Sequence, residues 1–71
     1  MLDFRVETFL CVCQTMNFTQ AARRLNITQP AVSQHIKYLE QYYHTSLFLY
    51  ENKRLSLTAT GTILHERFKT M

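Results

Sequence analysis

Residues 18–37 constrain the fold of this 71-residue chain more than any other segment. Their spacing predicts two short helices joined by a tight turn, with Asn17 capping the first helix and Thr28 capping the second. Asn26 suits the turn, because asparagine adopts a left-handed backbone at less cost than most residues do. We expect Ile27 to fill the core beneath this turn. Two helices joined in this way are typical of a helix-turn-helix.

The second helix of the pair is predicted to span about residues 29–43. Its apolar residues fall within about 60° of one another at 100° per residue, which predicts a buried stripe. The opposite face is small, polar and basic, as a helix must be to enter the DNA major groove and pair with base edges. The predicted buried stripe consists of Val32, Ile36, Leu39 and Tyr43. The residues predicted to read bases are Gln29, Pro30, Ala31, Ser33, Gln34 and Lys37.

Three further elements flank this pair of helices. A first helix is predicted over about residues 3–15, with Asp3 as its N-cap and Thr8 outside its apolar stripe. Two short β-favouring segments surround residues 51–54 and predict a hairpin with a basic tip. Thr58 is predicted to cap a last helix, whose first turn Gly61 weakens. The order predicts a mainly α winged helix-turn-helix: a three-helix core, a two-stranded β-hairpin wing and the start of a linker helix.

A protein that reads DNA also needs groups that hold the phosphate backbone, because such contacts set its register on the duplex. Polar side chains at helix N-termini suit this role, since the backbone N–H groups there also face anions. Basic side chains on the second helix and on the hairpin suit it through their charge. The residues predicted to contact the DNA backbone are Thr19, Arg23, Thr28, Lys53 and Arg54.

Composition and spacing argue against other classes of function. The net charge of +3 is compatible with nucleic acid, although many small proteins are as basic. The chain has no phosphate-binding glycine loop, no nucleophile–base set and no paired carboxylates, so we do not expect an enzyme. Cys11 and Cys13 diverge by about 200° on a helix, and the histidines lack ligand spacing. We therefore expect no metal and no cofactor in this domain.

The chain is predicted to be cytoplasmic. Its longest apolar run, Phe9 to Cys13, is far too short to span a membrane. Acidic Asp3 and Glu7 interrupt what would otherwise be the apolar part of a signal peptide.

The run from Phe18 to Glu40 resembles the signature of LysR-type transcriptional regulators. The resemblance implies an N-terminal winged helix-turn-helix that binds an interrupted inverted repeat in double-stranded DNA as a homodimer. It also implies a fourth helix that continues as a linker and pairs two subunits, and a larger C-terminal domain that binds a small-molecule co-inducer. The matching residues are Phe18, Thr19, Ala21, Ala22, Leu25, Thr28, Gln29, Pro30, Ala31, Val32, Ser33, Ile36, Leu39 and Glu40, followed by Leu47, Phe48, Leu57, Thr58 and Gly61.

On this resemblance, residues 1–58 are the winged helix-turn-helix domain, with the helix-turn-helix at 18–37. Residues 59–71 are the start of the linker or dimerisation helix, and the effector-binding domain is absent from this chain. We therefore expect the DNA-binding piece of a longer bacterial regulator, or a truncated product of one. Such a regulator would bind DNA sequence-specifically and regulate transcription as a dimer of the full-length protein.

The chain departs from the family pattern at several positions. Arginine is usual where this chain has Tyr50, so a phosphate contact or salt bridge of the wing is lost or replaced by a hydroxyl. Lys53 stands where arginine is usual, which keeps the charge but loses the bidentate fork. Leu-Gly is usual at Tyr43–His44, so His44 must adopt a conformation that glycine finds easy. Met16 occupies a position where glycine is frequent.

Two other functions compete with sequence-specific DNA binding. One is a winged helix that binds a protein partner and no longer binds DNA, which the missing arginine at position 50 favours slightly. The intact reading face of the second helix argues against it. RNA binding is the other, but the sequence offers no visible aromatic platform for stacking bases.

Overall fold

The computed structural model describes residues 3–70 of the chain. Within that range, four helices and one two-stranded antiparallel hairpin follow one another in the predicted order, which confirms the mainly α winged helix-turn-helix. The elements are α1 (Phe4–Thr15), α2 (Phe18–Leu25), α3 (Gln29–Tyr43), β1 (Phe48–Glu51), β2 (Arg54–Leu57) and α4 (Ala59–Lys69).

Each described helix begins after a polar residue that caps it. The cap's side-chain oxygen accepts a hydrogen bond from a backbone N–H of the first turn, which would otherwise lack a partner. The bond to the Asp3 carboxylate is 2.7 Å long, and the bond to the Thr58 hydroxyl is 3.0 Å long. The four caps are Asp3, Asn17, Thr28 and Thr58, as predicted from the sequence.

The first three helices end in a residue with left-handed backbone. The φ angle is 49° at Met16, 59° at Asn26 and 57° at His44, so the expectations for Asn26 and His44 are confirmed. Beyond α3, the His44 N–H donates to the carbonyl of Gln41 at 3.3 Å, and the Thr45 N–H donates to that of Glu40 at 3.0 Å. This pair of bonds is a Schellman motif, which closes the helix despite the absence of glycine.

The core lies where α1, α2 and α3 cross, and the hairpin and α4 pack against one side of it. Four phenylalanine rings connect these elements. The Phe9 ring centroid lies 5.5 Å from that of Phe48 and 6.0 Å from that of Phe68, and the Phe18 and Phe48 centroids are 5.9 Å apart. The fully buried hydrophobic side chains with the largest volumes are Phe9, Leu47, Val12 and Val32.

Two expectations about burial are wrong. Thr8 is only 2% exposed, because α3 crosses α1 there. Its hydroxyl donates to the carbonyl of Phe4 at 3.0 Å and lies 2.8 Å from Nδ1 of His35, so its polar group is satisfied without water. Ile27 is 37% exposed and lies outside the core, because the left-handed residue before it turns the chain towards a shallow surface depression that Ile27 lines with Leu25.

Gly61 permits a close approach between α4 and the segment before the wing. A Cβ atom at this position would collide with the carbonyl of Leu47 and lie 3.0 Å from Cδ2 of Leu57. The Thr58 N–H donates to the same carbonyl at 3.0 Å. Gly61 therefore contributes to packing, whatever it costs the first turn of α4. Within residues 3–70, every helix is too short or too polar to cross a membrane.

Candidate nucleic-acid interface

An open groove of about 610 Å³ lies where the N-terminal ends of α2 and α3 meet the wing. Four of the eleven residues predicted to contact DNA line it, although they come from three separate elements. These four are Thr19 from α2, Gln29 and Ser33 from α3, and Lys53 from the turn of the wing. The fold thus brings one part of the predicted site together on a single concave surface.

A hydrogen bond orders the α3 side of the groove. Nε2 of Gln29 donates to Oγ of Ser33 at 2.9 Å, one helical turn further on. The Gln29 amide keeps its carbonyl oxygen and one N–H group for a ligand. That pair of groups matches the acceptor and donor that adenine presents in the major groove.

The other residues predicted to read bases lie outside the groove lining. Pro30, Gln34 and Lys37 are exposed, on the side of α3 that faces away from the core. Ala31 is half-buried and lies about 160° around the helix from Ser33. The predicted reading set therefore covers the outer face of α3 and both of its flanks.

The residues of the helix-turn-helix predicted to contact the backbone are all exposed. Thr19 and Arg23 are four residues apart on α2, so they lie on the same face one turn apart. The Thr28 hydroxyl accepts a hydrogen bond from the Ala31 N–H at 3.2 Å, which leaves its own O–H group available as a donor. The Arg24 side chain lies against α1 instead, with its Nη1 3.5 Å from Oε1 of Gln14.

The register of the wing separates its two basic residues. Tyr50 pairs with Leu55, and Glu51 pairs with Arg54. Neighbouring pairs point to opposite faces of a hairpin, so Arg54 lies on the face opposite to Tyr50. Lys53 and Asn52 form the two-residue turn, with φ angles of 61° and 52°. Positive φ at both positions is the mark of a type I′ turn, whose twist matches that of the strands.

Tyr50, which was predicted only to lose or replace a contact of the usual arginine, is a groove residue. It is 71% exposed and lines the groove beside Lys53. The strand alternation contains the signal that identifies it, because Tyr50 lies two residues after the buried Phe48 and shares its face.

Neither cysteine lines the groove. Burial raises the pKa of the Cys13 thiol to about 12, so this group stays protonated at neutral pH. In the part of the chain that the structure describes, Cys11 and Cys13 are unbridged and half-buried. The same residues contain no group of three histidine, cysteine or acidic side chains arranged to hold a metal ion.

Comparison with protein families gives a match over most of the chain. Residues 5–62 match the model of the family described as bacterial regulatory helix-turn-helix protein, lysR family. The HTH-type transcriptional regulator CysL of Bacillus subtilis (strain 168) is 46% identical over 66 residues, which are 93% of this chain and 22% of CysL. The chain therefore spans about a fifth of the length of this curated relative.

Solved structures share the fold. The crystal structure of a transcriptional regulator of the LysR family from Eggerthella lenta DSM 2243 is similar with a TM-score of 0.92 and 62% identity, over 97% of this chain and 99% of that one. The crystal structure of a CbnR_DBD–DNA complex is similar with a TM-score of 0.89 and 26% identity, over 99% of this chain and 80% of that one.

Proposed function

Because the chain belongs to the lysR family of bacterial regulatory helix-turn-helix proteins, we propose that it is the sequence-specific DNA-binding domain of a transcriptional regulator. The observation that carries the proposal is the groove that joins the N-terminal ends of α2 and α3 to the wing. It presents hydrogen-bond donors and one cation from three elements on one surface. The likeness to a DNA-bound domain, the CbnR complex, supports this function rather than catalysis.

In this proposal, α3 enters the major groove with its N-terminal end foremost. Gln29, Ser33 and Gln34 then reach base edges, together with Pro30, Ala31 and Lys37. The Gln29–Ser33 bond orients the amide before DNA arrives. The carbonyl oxygen and the N–H group that it leaves free favour adenine at the base that Gln29 meets.

The backbone contacts of the proposal lie on both sides of α3. Thr19 and Thr28 donate from helix N-termini, where unpaired N–H groups also favour phosphate. Arg23 contributes from the exposed face of α2, Lys53 from the tip of the wing and Arg54 from its outer face. These contacts set the position of α3 along the duplex, while base contacts select the sequence.

Selection from a randomised duplex pool, followed by salt titration of the enriched sequence, tests the function. Enrichment of a half-site, alone or as a spaced inverted repeat, with affinity that falls steeply with salt is the expected result. Salt-sensitive binding without enrichment would contradict sequence-specific reading by this chain. Absence of binding even at low salt would contradict DNA binding altogether.

We further propose how a full-length regulator that contains this domain would bind a second subunit, DNA and a co-inducer. Two subunits would pair through a continuation of α4 and bind an interrupted inverted repeat, and a separate domain would bind a small-molecule co-inducer. The family membership of residues 5–62 supports this extension. Sedimentation of the full-length protein with and without its selected duplex measures the number of subunits bound, and a single subunit on the repeat would contradict it.

A second candidate function, binding of a protein partner, is favoured by an aromatic strip on α1 and α3. Phe4, Tyr38 and Tyr42 are 54%, 47% and 67% exposed. The guanidinium carbon of Arg5 lies 3.8 Å from the ring centroid of Tyr38. Aromatic and arginine side chains are enriched at protein interfaces. Failure of the chain to bind any duplex at low salt would favour binding of a protein partner over DNA binding.

A further inference from the structure

We propose that the Tyr50 hydroxyl donates a hydrogen bond to a phosphate of the DNA backbone, on the wing side of the groove that Lys53 also lines. The inference rests on the DNA-binding function proposed above. It assigns to the wing a contact that is neutral and independent of base sequence. Unlike a lysine or arginine contact, a tyrosine contact releases no counterion from DNA.

The strand register places the Tyr50 side chain on the inner face of the wing. Phe48 pairs with Leu57, and Tyr50 pairs with Leu55. Cross-strand neighbours and residues two apart share a face of an antiparallel hairpin. Phe48 is buried and both leucines are half-buried, so this face is the one turned towards the protein. Tyr50 therefore leaves the strand towards the groove and not towards open solvent.

The Tyr50 hydroxyl is available to a ligand. The side chain is 71% exposed, because it lies beyond the edge of the core that Phe48 closes. Among residues 3–70 it makes no hydrogen bond and belongs to no aromatic pair. A tyrosine hydroxyl is both donor and acceptor, and a phosphate oxygen is an acceptor only, so the hydroxyl would donate.

The hairpin holds Tyr50 in place before DNA arrives. The two-residue turn at Asn52 and Lys53 fixes the register of four cross-strand pairs. Phe48 anchors the strand through its contact with Phe9, whose ring centroid is 5.5 Å away. The backbone that carries Tyr50 is thus fixed before binding, so a contact with phosphate costs only the ordering of the Tyr50 side chain.

The surroundings favour phosphate over a base as the ligand of Tyr50. Lys53 supplies a positive charge on the same side of the groove, and Thr19 marks the N-terminal end of α2, whose first N–H groups attract anions. The groups that read base edges lie on α3, on the other side of the groove. Tyr50 therefore faces the flank of the bound duplex.

The test measures fluorescence anisotropy of a labelled duplex of mixed sequence over a series of salt concentrations. Tyr50→Phe removes only the hydroxyl and should weaken binding about tenfold at every salt concentration, with an unchanged salt slope. Tyr50→Arg should steepen the salt slope by about one unit, because it adds one cation at the same place. Tyr42→Phe is the matched control: Tyr42 is 67% exposed but lies outside the groove lining, so this variant should bind as the wild type does.

Wild-type affinity in Tyr50→Phe would overturn the inference while leaving the proposed function intact. An equal loss in Tyr50→Phe and Tyr42→Phe would also overturn it, because the effect would not belong to the groove. An unchanged salt slope in Tyr50→Arg would show that position 50 does not approach the backbone. Absence of wild-type binding at all salt concentrations would instead contradict the proposed function, and this inference with it.

Discussion

Gln34 lies near the centre of the exposed face of α3, about 160° around the helix from both Val32 and Ile36, which are buried. This position points its amide away from the core without support from another side chain in residues 3–70. It contrasts with Gln29, whose amide is held by Ser33. Gln34 is therefore the residue on which the base-reading role of the outer face is tested most directly.

Gln34→Ala should lower affinity for the selected duplex by about 1–3 kcal/mol and change base preference at one or two positions, because it removes a bidentate amide. The measurement is a repeated selection with the variant, followed by binding of both enriched sequences. Equal losses on every sequence would show that Gln34 does not read bases.

Lys53 combines a charge with a strained backbone, since its φ angle of 61° is one that lysine rarely adopts. Lys53→Asn removes the charge but retains a residue that tolerates this conformation. The variant should weaken binding to all duplexes and flatten the salt slope by about one unit. Anisotropy titrations at several salt concentrations measure the slope.

Arg54→Gln is the comparison for Lys53→Asn, because Arg54 lies on the outer face of the wing opposite Glu51. A similar reduction of the slope in both variants would support backbone contacts on both faces. An unchanged slope in Lys53→Asn would remove Lys53 from the interface.

At the scale of elements, the C-terminal end of α3 contains a strained backbone conformation. His44 closes the helix in a left-handed conformation, with φ of 57° and ψ of 39°. The neighbouring Leu47 N–H donates to Oε2 of Glu40 at 2.8 Å, so the segment that follows the cap is tied back to α3. The cap conformation is maintained by these bonds rather than by a residue that prefers it.

His44→Gly should raise the free energy of unfolding by about 0.5–1 kcal/mol. Relief of left-handed strain, about 1–2 kcal/mol, exceeds the added chain entropy of glycine, which is up to about 1 kcal/mol. Urea denaturation followed by circular dichroism measures the change.

Gly61→Ala serves as the opposite control on α4, because its added Cβ would meet the carbonyl of Leu47. It should destabilise the protein, although alanine favours helices. A loss of stability in His44→Gly would contradict the strain argument for α3.

The stability of the whole molecule depends on a small core, to which Phe48 of the wing contributes. Phe48 contacts the rings of Phe9 on α1 and Phe18 on α2, so it joins the hairpin to the helices. A domain of 71 residues has a total stability of about 4–11 kcal/mol at the usual value per residue. Removing a buried phenylalanine ring costs about 3–5 kcal/mol, which is a large share of that total.

Phe48→Ala is therefore expected to lower the urea midpoint of the entire domain in a single transition, monitored by helix circular dichroism. The physical reason is that the wing and the helices share one core. A near-native midpoint for the helical signal would show that the hairpin unfolds independently of the three-helix core.

Local chemistry explains which features were predictable from the sequence. Asp3, Asn17, Thr28 and Thr58 cap helices through bonds to residues two or three positions away, so their role depends only on near neighbours. The buried stripe of α3 follows from helical periodicity in the same way. These local rules determined the order of the elements and the polar, exposed character of the outer face of α3.

Contacts between distant parts of the chain decided the features that capping and periodicity did not predict. Thr8 is buried because α3 crosses α1 there, and His35, 27 residues away on α3, supplies a hydrogen-bond partner for its hydroxyl. Ile27 is exposed because of the path taken by the turn. Gly61 is needed because Leu47 approaches it. Tyr50 belongs to the groove because the wing folds back beside α2 and α3. The sequence alone determined the elements, since their capping and periodicity are local, whereas tertiary structure decided the groove, since it joins three elements that no local pattern relates.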